Sequence, residues 1–146
     1  MRTRANRGFT LGELVMVLVL VMLILLILRP CVKQIYERSD RLQCSGNIQQ
    51  LARGMYIYAK EHTGEFPGTI KELYDGEYLA DESFTDCPAS AHKGTPQDPD
   101  YSYAPGLSVK SRSSEPLITD KKGNHSEGDN YLTVDGDVFW DKTPGA

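Results

Sequence analysis

One feature of the sequence constrains the fold more than any other: an uninterrupted apolar run near the N-terminus. Every residue from Leu14 to Leu28 is apolar. At 1.5 Å per residue, a helix of about twenty residues spans roughly 30 Å, the hydrocarbon thickness of a bilayer. The run therefore predicts a membrane-spanning helix over residues 9–29. This stretch is interrupted before Leu28 only by Thr10, Gly12 and Glu13.

The residues that flank the run predict its orientation. Residues 1–8 carry three arginines and no acidic residue, and positive charge before a span keeps that end in the cytoplasm. A cleaved secretory signal would need small residues after the apolar run, whereas this run ends in Leu28-Arg29-Pro30-Cys31. The same residues lack the small side chains of a lipoprotein signal. An uncleaved signal anchor stays open as the simpler alternative.

The rest of the chain has the composition of a small acidic domain. The 146 residues allow one modest globular domain in addition to an anchor. Without residues 1–8, the sequence holds 13 Lys and Arg against 20 Asp and Glu, a net charge of −7. Such a body is poorly suited to binding DNA or RNA, because that binding depends on Lys and Arg neutralising phosphates.

The three cysteines are widely separated in the sequence. Cys31, Cys44 and Cys87 show no CxxC spacing and have no cluster of histidines nearby. We therefore expect no metal bound through thiols and at most one intramolecular disulfide.

Glu13 is the unusual residue of the apolar segment. A carboxylate in a membrane helix costs roughly 2.5–3.5 kcal/mol on insertion scales, and a purely mechanical anchor does not need one. Cleavage after Gly8 would create a cationic α-amine on Phe9, within one helical turn of Glu13. Pairing of the amine with Glu13, in the same subunit or in the next one of an assembly, would offset the cost of desolvation.

The stretch from Arg7 to Leu14, Arg-Gly-Phe-Thr-Leu-Gly-Glu-Leu, resembles the class III signal of type IV pilins and type II secretion pseudopilins. The resemblance implies that a prepilin peptidase cuts between Gly8 and Phe9 and methylates the new amine of Phe9. Glu13 would then be the fifth mature residue and would act in assembly.

The same resemblance implies an α+β fold, in which a long N-terminal helix packs on a small C-terminal antiparallel sheet. Residues 1–8 would be the leader, residues 9–29 the transmembrane helix and filament core, and residues 30–146 the periplasmic head. Pro30 matches a proline that commonly kinks the family's helix at the membrane exit. Gly12 departs from the family, in which a large aliphatic residue is usual.

Beyond Pro30, apolar residues recur at spacings near three and four, which predicts an amphipathic helix with one core-facing stripe. We expect the whole helix to run from Phe9 to about Glu61, with a soft point at residues 45–47. Gly64 is suited to a left-handed cap. The recurring apolar residues are Val32, Ile35, Leu42, Ile48, Leu51, Ala52, Met55, Tyr58 and Ala59.

Later segments resemble a pilin-like subgroup with a G-type major-pseudopilin layout, abundant in planctomycete- and verrucomicrobium-type bacteria. In that layout a short helix follows at residues 70–74, and a Cys-Pro element at Cys87 precedes a Tyr-rich strand at residues 101–103. Cys44 could form a disulfide with Cys87 in an oxidising compartment; two thiols that merely pack are the alternative. Cys31 is expected to be free or to pack against a neighbour.

Nine residues separate His125 from Asp135-Gly136, and this H-x9-D-G arrangement resembles a C-terminal signature of the same subgroup. A catalytic histidine needs a nucleophile and an orienting partner, and no G-x-S-x-G or Cys-His pattern accompanies His125. We therefore expect a hydrogen-bonded structural histidine and no enzymatic activity.

The tail contains two β-prone runs separated by Asp135-Gly136, which predicts a hairpin with a type I′ turn. Pairing about that turn would set Tyr131 opposite Trp140 and Thr133 opposite Val138.

Asp129, Asp135 and Asp137 are candidate calcium ligands, because hard oxygen ligands suit Ca²⁺. Major pseudopilins of type II secretion, which the chain resembles, have a C-terminal calcium loop. The spacing matches no EF-hand, so solvated turn acids are the expectation and calcium is the alternative. No other cofactor is expected.

These observations predict a structural subunit of a pilus-like filament, most simply a type II secretion pseudopilin. A type IV pilin, or a minor pilin-like protein whose head binds a substrate or surface, is the alternative. The expected partners are prepilin peptidase, other copies of the chain, related subunits and an inner-membrane assembly platform. The expected location is the inner membrane, with a single pass, a cytoplasmic N-terminus and a periplasmic head. The filament would lie in the periplasm or at the cell surface.

Overall fold

A computed structural model describes residues 10–142. They form a long N-terminal helix followed by a small antiparallel sheet, so the predicted α+β layout is confirmed. A 3₁₀ helix at Glu82–Thr85 precedes the first strand. The helices are α1 (Leu11–Glu61) and α2 (Lys71–Asp75), and the strands are β1 (Tyr101–Tyr103), β2 (Pro116–Asp120), β3 (Asp129–Thr133) and β4 (Val138–Asp141).

The described residues divide into two compact units, a first unit that ends at Tyr36 and a second unit that begins at Glu37. In the first unit, the large apolar side chains of Leu14–Leu28 are between 46% and 74% exposed. Within residues 10–142, α1 is the one helix long and apolar enough to cross a membrane. This segment therefore has enough apolar surface for a bilayer, and no other part of residues 10–142 covers that surface.

The helix α1 is continuous through both positions at which the sequence weakens it. Pro30 lies inside α1, where its missing N–H removes one backbone hydrogen bond. Residues 45–47, the expected soft point, are also helical. The helix ends at Glu61 as predicted, and Gly64, with φ +93°, donates its N–H to the Ala59 carbonyl at 2.8 Å.

The second unit is built around one face of α1. Buried residues on this part of the helix recur at spacings of three and four, which confirms the core-facing stripe for residues 48–59. They join buried residues of α2, β1, β2 and β3 in a single core. The α1 residues of this core are Cys44, Ile48, Leu51, Ala52, Met55 and Ala59.

The sheet has the strand order β1-β2-β3-β4, with every neighbouring pair antiparallel. The Tyr-rich strand and the C-terminal hairpin agree with the predictions. Strand β2 was not predicted, because its apolar part is short and Pro116 stands at its start. Leu117 and Ile118 of this strand are nevertheless buried in the core.

The predicted hairpin register is wrong by one residue. Leu132 pairs with Val138 and Tyr131 with Phe139, and of the two residues Asp135 and Gly136 only Gly136 has positive φ, at +94°. The Gly136 N–H bonds to the Thr133 carbonyl at 3.0 Å. This is a three-residue loop that ends in a left-handed glycine, not a two-residue type I′ turn.

Candidate functional site

The predicted processing residues Gly8 and Phe9 lie outside the described residues. Glu13 is described and lies in the first turn of α1. Its carboxylate accepts hydrogen bonds from the backbone N–H and the side-chain hydroxyl of Thr10, both at 3.0 Å. The Glu13 N–H in turn donates to Thr10 Oγ1 at 3.3 Å.

This reciprocal pair is a capping box, in which two otherwise unbonded donors of a helix N-terminus are satisfied. It gives Glu13 a role inside its own chain that was not predicted from the sequence. The T-x-x-E spacing of Thr10 and Glu13 is the signal that identifies it. Any assembly role of Glu13 must therefore be separated experimentally from helix capping.

A second candidate site is buried in the second unit. Four side chains from four separate segments converge there, and their ligand atoms all lie within 4.8 Å of one another. All four are buried. They are Cys44 from α1, Cys87 from the loop before β1, Asp120 from the end of β2 and His125 from the loop between β2 and β3.

The two sulfurs lie 3.3 Å apart. Cys44 Sγ is 2.9 Å from Asp120 Oδ1, and Cys87 Sγ is 3.6 Å from His125 Nε2. The same imidazole nitrogen is 3.7 Å from Asp120 Oδ2. Every member of the cluster thus faces at least two others.

Neighbouring groups surround this cluster. The Asn130 backbone N–H donates to Asp120 Oδ2 at 2.6 Å, and the Ala89 backbone N–H donates to the Cys87 sulfur. The Tyr101 hydroxyl lies 3.3 Å from Cys44 Sγ. Asp100 accepts the Cys87 backbone N–H at 3.0 Å, which holds the turn that carries this thiol.

The cluster also changes the proton affinities of its members. The hydrogen bond with Cys44 lowers the pKa of Cys87 to about 6, with His125 and the Ala89 N–H contributing in the same direction. The pKa of Cys44 is raised, first by its hydrogen bond to Cys87 and then by burial and Asp120. Burial by itself would lower the pKa of His125, but its hydrogen bond to Cys87 and the nearby negative charges raise it.

The structure places a histidine beside Cys44 and Cys87, although no histidine lies near them in the sequence. The structure also brings together the two cysteines for which a disulfide was considered. All three cysteines of the chain are free thiols in it, and Cys31 is exposed.

The residues of the H-x9-D-G arrangement occupy two places. His125 belongs to the buried cluster, whereas Asp135 and Gly136 form part of the β3–β4 loop. Trp140 of β4 contacts the His125 ring, with centroids 5.7 Å apart in an edge arrangement. The Arg41 guanidinium lies over Trp140, 4.3 Å from the ring centroid.

The three candidate calcium ligands do not converge. Asp129 begins β3, whereas Asp135 and Asp137 lie beyond its other end and are exposed. At about 3.3 Å per residue, a five-residue strand holds its two ends well beyond the reach of one ion. The exposed Asp135 instead accepts a hydrogen bond from the Thr133 hydroxyl, as a turn residue does.

Comparisons of this chain with protein-family models, curated proteins and solved structures find no match.

Proposed function

We propose that this chain is a structural subunit of a pilus-like filament, processed between Gly8 and Phe9 and assembled through the first part of α1. The observation that carries the proposal is a carboxylate, Glu13, in the first turn of a helix whose next 15 residues are apolar and exposed. The resemblance of residues 7–14 to a class III signal supports the same function.

The proposed mechanism is an ion pair that Glu13 forms with a neighbouring copy inside the membrane. In the membrane, Glu13 attracts the α-amine of Phe9 on a neighbouring copy, because low dielectric strengthens the attraction between opposite charges. The exposed side chains of Leu14–Leu28 then pack against those of other copies instead of lipid. The head, residues 30–146, lies on the periplasmic side.

We propose first that the filament subunit is a type II secretion pseudopilin, and second that it is a type IV pilin. The alternative is a binding function, in which the chain is a minor subunit whose head binds a substrate or surface. A soluble ligand captured by the head, without self-assembly of the full chain, would favour that alternative. We propose no enzymatic activity, because Cys44, Cys87 and His125, the cysteines and the histidine that lie together, are all buried.

The test separates the charge of Glu13 from its capping role. Glu13→Gln removes the charge but keeps a side chain that can complete a capping box. Thr10→Ala is the matched control, since it breaks the capping box and keeps the carboxylate. We expect Glu13→Gln to insert in the membrane and to lose filament assembly, while Thr10→Ala assembles.

Filaments are counted by electron microscopy, and contacts between subunits are detected by crosslinking in cells. The amount of each variant in the membrane is measured in parallel. Normal assembly of Glu13→Gln would contradict the proposed charge pairing. Mass spectrometry of the mature N-terminus tests processing directly, and a chain that still begins at Met1 would contradict it.

A further inference from the structure

We propose that Cys44, Cys87, Asp120 and His125 bind a zinc ion, which fastens α1 to the sheet of the second unit. The four side chains supply two sulfurs, one carboxylate oxygen and one imidazole nitrogen. This set completes a tetrahedral shell, the arrangement of structural zinc sites. The site is independent of filament assembly and of the proposed processing.

The separations between the ligand atoms are close to those around a shared ion. With Zn–S near 2.3 Å and Zn–N near 2.0–2.1 Å, two sulfurs on one tetrahedral zinc lie about 3.8 Å apart, and a sulfur lies about 3.5 Å from a nitrogen or oxygen ligand. The His125 nitrogen is 3.6 Å from the Cys87 sulfur, which matches this geometry. The 3.3 Å between the two sulfurs and the 2.9 Å between Cys44 and Asp120 must each widen by roughly half an ångström.

The burial of the cluster favours a cation over an empty polar pocket. His125 and Asp120 have side chains that are 0% exposed, and a buried charge is costly unless it is paired or coordinated. Two thiolates and a carboxylate would carry three negative charges, of which Zn²⁺ compensates two. The remaining charge faces hydrogen-bond donors around the cluster.

Those donors are the kind that support metal ligands. A backbone N–H bonds to Asp120, another bonds to Cys87, and the Tyr101 hydroxyl reaches Cys44. Outer groups of this type orient the ligands and tune their basicity. Three of the four ligands, Asp120, Cys87 and Cys44, therefore have outer groups that hold them, whereas Nδ1 of His125 has no hydrogen-bond partner among the described residues.

The ligand set favours zinc over other metal ions, and it also favours a metal site over a disulfide between Cys44 and Cys87. Thiolates and imidazole select zinc over the hard ions Ca²⁺ and Mg²⁺. A disulfide between Cys44 and Cys87 would use only the sulfurs, and it would leave Asp120 and His125 buried beside a bond that needs neither. Zinc uses all four side chains.

The experiment uses the full chain, without a histidine tag, purified in detergent from cell membranes under reducing conditions. Metal content is measured by mass spectrometry of the elements. We expect one zinc per chain, which is lost in Cys44→Ser and in Cys87→Ser. Cys31→Ser is the matched control, because its thiol is exposed and lies outside the cluster, and it should keep the full content.

A finer variant tests the outer set of donors. Tyr101→Phe keeps the buried ring and removes the hydroxyl beside Cys44, so we expect zinc affinity to fall by roughly 10–100-fold. Affinity is measured by competition with a coloured chelator.

A measurement on the unaltered chain tests the proposal even if the cysteine variants do not fold. Cobalt should replace zinc and give the sulfur-to-metal charge-transfer and tetrahedral d–d absorption bands of a thiolate site. The proposal is overturned if the unaltered chain shows no such bands and carries no stoichiometric zinc. A Cys44–Cys87 disulfide in the chain alkylated directly in cells would also overturn it.

Discussion

The two parts of α1 are one continuous helix, yet they have opposite surroundings. Between Leu14 and Leu28 the large apolar side chains are at least 46% exposed, whereas Leu51 and Met55 are fully buried. The second part finds its partners inside the chain, in α2 and the sheet. The first part has none among residues 10–142. Helix formation and helix burial are therefore separate properties of this sequence.

The largest expected effect comes from the same substitution made in each part. Leu51→Ala removes a fully buried side chain and should destabilise the second unit by about 2–5 kcal/mol. Leu18→Ala changes a side chain that is 60% exposed, and unfolding of the second unit should stay unchanged. Chemical denaturation of the detergent-solubilised chain, followed by Trp140 fluorescence, reports on this unit. Equal destabilisation by the two variants would break the comparison.

A smaller effect distinguishes the two sides of α1 within the second unit. A Cβ at Gly54 would lie 2.8 Å from Leu79 Cγ, whereas one at Gly46 would meet nothing within 4 Å. Gly54→Ala should therefore destabilise the unit by about 1–3 kcal/mol through overpacking. Gly46→Ala should stabilise it by up to about 1 kcal/mol, because alanine favours helix.

The same denaturation experiment measures both glycine variants. Opposite signs of the change in unfolding free energy are expected, and equal signs would contradict the assigned faces of the helix.

The smallest effect is expected at a surface ion pair. Lys121 donates to Asp98 at 2.8 Å, and this hydrogen bond and the Lys121 charge lower the pKa of Asp98. A lowered carboxyl pKa contributes stability that is present above the unfolded pKa and is lost as pH falls through the folded pKa. Lys121→Ala should return the pKa of Asp98 toward its ordinary value, as followed by NMR titration.

High salt should move the pKa of Asp98 in the same direction in the unaltered chain, because both groups are exposed and screened. A pKa that stays low in Lys121→Ala would show that another group sets it.

Local patterns predicted the elements whose signal lies in one segment. The apolar run, the stripe up to Ala59 and the end of α1 at Glu61 follow from spacing along the chain. The hairpin was recognised, but its register was not, since Asp-Gly fits loops of two or three residues. Strand β2 was not predicted from the sequence because only two of its residues, Leu117 and Ile118, are strongly apolar.

The sequence by itself determined that this chain has a membrane-length apolar helix, an amphipathic continuation and a C-terminal hairpin. Each depends on a pattern within one segment. Only the tertiary structure decided that Cys44, Cys87, Asp120 and His125 share one buried point. Their convergence depends on how α1, a loop and the sheet pack against one another. The spacing of residues within one segment cannot predict distances between atoms that belong to different segments.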